Sequence, residues 1–62
     1  MVRVIVEGRG EYNIEAKTVK EVLEKLNLKP SEVVVHDGEN ILLEEEEIKS
    51  DTIYITLVAS GG

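Results

Sequence analysis

The chain contains no cysteine, no phenylalanine and no tryptophan, and only one proline and one histidine. Without cysteine there is no disulfide, no thiolate metal site and no cysteine nucleophile. A lone histidine, His36, excludes a His-rich metal site. Tyr12 and Tyr54 are the only aromatics, so a core has to be built from closely packed aliphatic side chains. Basic residues are also scarce: 7 Lys and Arg stand against 13 Asp and Glu, a net charge of -6. That balance disfavours nucleic acid and anionic membrane as partners, because phosphate binding needs clustered positive charge. No apolar run approaches the roughly 20 residues of a membrane span, and 1–6 is too short for a signal-peptide core. The expectation is a soluble cytoplasmic protein. At 62 residues the chain is one domain. It has little room for a substrate pocket, so a self-contained enzyme is not expected.

What is present is patterned. Val2, Val4 and Val6 alternate with Arg3, Ile5 and Glu7, the period of a strand with one buried face. Gly8-Arg9-Gly10 permits a tight reversal, and 11–15 then returns with Tyr12 and Ile14 on one face, completing a hairpin. Thr18 and Glu21 form a T-x-x-E capping box. Val19, Val22, Leu23 and Leu26 follow as one helical stripe, and Pro30 is expected to end that helix. Strands are expected at 32–35, at 41–43 and at 53–58, separated by the turn residues of 37–40 and 49–51. The predicted order is β-β-α-β-β-β, a mixed sheet wrapping one helix. This is an α+β, β-grasp arrangement over 1–58, with a flexible tail at 59–62.

The tail carries the chemistry. Glycine packs nothing and loses the most backbone entropy on ordering, so Gly61-Gly62 contributes nothing to stability. Ala59, Ser60, Gly61 and Gly62, extended, would reach roughly 13 Å and fit a narrow channel in another protein. They would deliver the Gly62 α-carboxylate, an unhindered acyl group that reacts only once activated.

With its opening valine strand, T-x-x-E helix, Val33-Val34-Val35, Asp37-Gly38 turn, Glu44 to Ile48 segment and Ser60-Gly61-Gly62 end, the whole chain resembles the ubiquitin-like sulfur carriers. These comprise the thiamine sulfur carrier, the small subunit of molybdopterin synthase and the archaeal small modifier proteins. The resemblance implies a ubiquitin-like fold and a carrier, not an enzyme. A ubiquitin-activating-type enzyme would adenylate Gly62 with ATP and magnesium, the carrier itself binding no cofactor and no metal. A sulfur donor would then convert Gly62 to a thiocarboxylate for a cofactor synthase or transfer-RNA thiolation. Alternatively, Gly62 would join target-protein lysines by isopeptide bonds. A non-covalent interaction module is a third reading. The turn at 49–51 lacks the glycine that this family often places there, and the Ala-Ser-Gly-Gly end is closer to the archaeal modifiers.

If Val2, Val4, Val6, Ile53, Ile55 and Leu57 face the helix, then Ile5, Val34, Tyr54 and Val58 form an apolar patch on the open sheet face. Such a patch suits partner docking, although single exposed aliphatics are ordinary. Other candidates read as structural. His36 lacks a second ligand and suits a surface strand end. The four glutamates at 44–47 lack calcium-loop spacing and read as a solvated stretch able to steer a basic partner. Thr18 is a cap. Lys17, Lys20, Lys25, Lys29 and Lys49 are solubilising charges or conjugation acceptors. Gly8 and Gly10 belong to a turn.

Overall fold

Residues 1–58 are described by the computed structural model. The valine alternation carries directly into structure. In β1 (Val2–Val6) all three valines are buried, while Arg3 is exposed and Ile5 half-buried. β2 (Gly10–Ile14) returns antiparallel, with Val4 opposite Tyr12 and Val2 opposite Ile14. Arg9 N–H donates to the Val6 carbonyl at 3.0 Å, closing a four-residue turn whose third residue, Gly8, has φ 82°. A type II turn demands positive φ there, and glycine adopts it without steric penalty.

The helix α1 (Val19–Leu26) buries Val19, Val22 and Leu23. Its four leading amides are all satisfied. Val19 and Lys20 donate to the carbonyls of Glu46 (3.2 Å) and Glu44 (3.0 Å). Glu21 donates to Thr18 Oγ1 at 3.3 Å and Val22 to the Thr18 carbonyl at 3.3 Å. Glu21 completes the capping box by accepting from Thr18 N–H at 3.2 Å. The acidic segment thus seats the positive end of the helix through its backbone, with its carboxylates exposed.

Pro30 does not end the helix. The chain leaves it at Asn27, which adopts the left-handed conformation (φ 59°), with Leu28 N–H donating to the Leu23 carbonyl at 2.8 Å. This is a Schellman closure, in which asparagine tolerates the left-handed region better than most residues. Pro30 instead opens a short 3-10 turn (Pro30–Glu32) leading into β3 (Val33–His36). β4 (Ile41–Leu42) and β5 (Thr52–Leu57) complete the sheet.

The strand order is β2-β1-β5-β3-β4. β1 and β5 run parallel at the centre, and the other neighbours are antiparallel. The result is an α+β architecture: a five-stranded mixed sheet with one helix buried against one face. Val4, Val22 and Ile53 are wholly enclosed, and Ile55, Val19, Val6 and Leu23 nearly so. Leu57 departs from the expected inward packing. It occupies the last paired position of the β3–β5 ladder, opposite Val33, and is 38% exposed. The end of the ladder leaves its side chain with neighbours on one side only.

Candidate functional site: the outer sheet face

Strand alternation sends Arg3 and Ile5, Tyr54 and Thr56, and Val34 and His36 to the face opposite the helix. Register then decides which of them meet. Ile5 pairs with Tyr54 across β1–β5, Tyr54 with His36 across β5–β3, and His36 with Ile41 across β3–β4. These four form one row spanning roughly 14 Å at normal strand spacing. Val34 stands beside Thr56 in the next row. One residue beyond β5, Val58 is held by its N–H donating to the Glu32 carbonyl at 2.9 Å.

Of the four residues expected to form the docking patch, the structure brings Ile5, Val34 and Tyr54 together and places Val58 at its end. Ile5 and Val34 are half-buried, and Tyr54 is 37% and Val58 43% exposed. Two further residues belong to the face. Ile41 is 67% exposed. His36 stacks on Tyr54, with ring centroids 5.2 Å apart and planes inclined by 16°. Its Nδ1 accepts from Gly38 N–H at 3.2 Å, which assigns the ring proton to Nε2. His36 therefore fixes the Tyr54 ring. The alternation of 33–36 was enough to place His36 with Val34. The two-residue β4 offered no periodicity from which to place Ile41.

The polar surroundings are ordered by backbone amides. Asp37 Oδ1 accepts from Asn40 N–H (2.8 Å) and Glu39 N–H (2.9 Å). Those two bonds, Asn40 first, hold the Asp37 carboxyl below its ordinary value. The turn they build carries His36 and Gly38. On the other flank Arg3 and Glu11 pair at 2.7 Å. Both are half exposed, so water screens the pair and its contribution is small.

No group of acidic or histidine side chains suited to hold a metal occurs among the described residues. No helix among them is long and apolar enough to cross a membrane. Ala59, Ser60, Gly61 and Gly62, where the reactive tail is expected, lie outside the described residues. Compared with protein-family models and with curated proteins, the chain matches none.

Proposed function

We propose that the protein is a ubiquitin-like sulfur carrier of β-grasp fold, a cytoplasmic substrate of an ATP-dependent adenylating enzyme. The observation that supports this most is the position of β5. It is the central strand of the outer apolar face, flanked by β1 and β3, and it is also the strand from which 59–62 continue. An enzyme holding Ile5, Val34, Tyr54 and Val58 would grip the strand that precedes Gly61-Gly62 in the sequence.

The chemistry follows from the carboxylate. The Gly62 oxygen attacks the α-phosphorus of ATP, pyrophosphate leaves, and an acyl-adenylate forms. Hydrosulfide handed over by a donor protein then attacks the glycyl carbonyl and displaces AMP, leaving the thiocarboxylate and a proton. A lysine amine displacing AMP at that carbonyl would give an isopeptide instead, so sulfur delivery and protein modification share their first step. The Ala-Ser-Gly-Gly end keeps modification as the second reading.

Intact mass of the native protein tests this. The expected result is a chain ending at Gly62, with a fraction heavier by the difference between sulfur and oxygen. Isopeptide remnants on other proteins would transfer the assignment to modification. They need a protease other than trypsin, because Ser60 precedes the glycines. A chain extending past Gly62, or full function after deletion of Gly61-Gly62, overturns both.

A further inference from the structure

An apolar notch opens where β4 stops short. β4 pairs only with Val35 and His36, so Val33 and Val34 have β5 on one side and no strand on the other. Two bonds reveal the direction of the backbone groups there. Val58 N–H donates to the Glu32 carbonyl (2.9 Å), turning residue 32 toward β5. Asp37 N–H donates to the Asn40 carbonyl (3.1 Å), turning residue 37 toward β4. Antiparallel strands alternate these directions residue by residue. Val33, with the parity of residues 35 and 37, therefore directs its N–H and C=O to the open side. Among the described residues neither group has a turn or loop partner. An adjacent donor and acceptor on an open strand edge is what strand addition requires.

The notch holds about 390 Å³ and is floored by Val19, Leu23, Val33 and Val35. Leu43, 64% exposed, stands at its mouth with Pro30. Glu44 and Glu45 form the rim. They are the first two of four consecutive glutamates on a chain of net charge -6. We infer that this notch is a docking site for an extended peptide segment that carries a bulky apolar side chain flanked by Lys or Arg. The peptide backbone pairs with Val33, the apolar side chain fills the notch, and the basic flanks meet Glu44 and Glu45. A second copy of this chain is the poorer occupant, because it brings the same negative charge. The notch borders the outer sheet face at Val34 and Ile41, but its floor lies on the helix side of the sheet, and it does not depend on Gly62.

Random displayed peptides about ten residues long, selected against the full chain, test the inference. The enriched peptides are expected to combine a bulky apolar residue with Lys or Arg. Amide mapping should then show slowed exchange at Val33 N–H and shifts at Leu43 and Glu45. Leu43→Ser, and separately Glu44→Lys with Glu45→Lys, should each weaken binding about tenfold while the amide spectrum keeps its native dispersion. The charge-reversed pair sits on exposed side chains, so it remains decisive if Leu43→Ser unfolds. The absence of any consensus, an acidic consensus, shifts confined to the Ile5–Tyr54 face, or binding indifferent to the charge reversal would each overturn it.

Discussion

At the scale of single residues, stability rests on a few enclosed aliphatics. Leu23 is 2% exposed and is among the largest side chains the helix buries. Leu23→Ala removes its contacts and leaves a cavity, at a cost of about 2–5 kcal/mol. A chain this short has roughly 3–9 kcal/mol of total stability. Urea unfolding should therefore show a midpoint well below the parent's, and a midpoint near that of the parent would contradict the packing described. Two carboxylates add a pH dependence. Glu21 lies below its ordinary value of 4.5 because Lys17 N–H and then Thr18 N–H donate to it. Asp37 lies below 3.8 because Asn40 N–H and Glu39 N–H donate to it. Folding favours both carboxylates, so their contribution is complete above those ordinary values and is lost as pH falls through the folded ones. Relative to the Glu21→Gln/Asp37→Asn protein, the parent should lose stability over the acid range below the ordinary values of 4.5 and 3.8. A gap between the two curves that stays constant over that interval would refute this.

At the scale of elements, α1 is defined by its two ends. The capping box at Thr18 is local, and Thr18→Ala should cost about 0.5–2 kcal/mol. The other end depends on one residue with positive φ. Asn27→Gly should be neutral or slightly stabilising, because glycine has no Cβ to crowd the carbonyl in that conformation, whereas Asn27→Ala should cost about 1 kcal/mol, because alanine keeps the Cβ and loses the short polar side chain that lets asparagine tolerate it. Thermal unfolding of the pair measures the difference directly. Equal transition temperatures would mean that the helix end relaxes into another closure.

At the scale of the whole molecule, the outer face is a property of four strands, β1, β3, β4 and β5, drawn from both ends of the described chain. Tyr54→Asp places a charge in the middle of the row formed by Ile5, Tyr54, His36 and Ile41. Tyr54 is already partly exposed, so the fold should survive while binding to the adenylating enzyme of the proposed function weakens by about tenfold or more. Tyr12→Asp is the matched control. Tyr12 is equally exposed at 37%, but it shares the face of Val4 on the edge strand. Calorimetric titration should separate the two variants, and equal losses would remove the outer face from the docking reading. With a net charge of -6, association with a basic partner surface should slow as salt rises.

Elements with local causes are written in the order of residues. The valine alternation of β1, the glycine turn, the T-x-x-E start of the helix and its stripe were legible because each depends on neighbours within a few residues. So were Ile5, Val34 and Tyr54 as outward residues, since strand parity has a period of two. The helix end was misassigned to Pro30 because proline's steric signal is strong, while the left-handed closure at Asn27 depends on carbonyls freed by the helix itself. The other features arise where segments far apart in the chain meet. The backbone of 44–47 satisfies the helix amides of Val19 and Lys20 only because β4 returns past the helix start. Leu57 loses its cover because the sheet ends there. His36 and Ile41 join Tyr54, and Val33 faces an open edge, through register alone. Register is set by hydrogen bonds between strands far apart in the chain, and no local pattern encodes it.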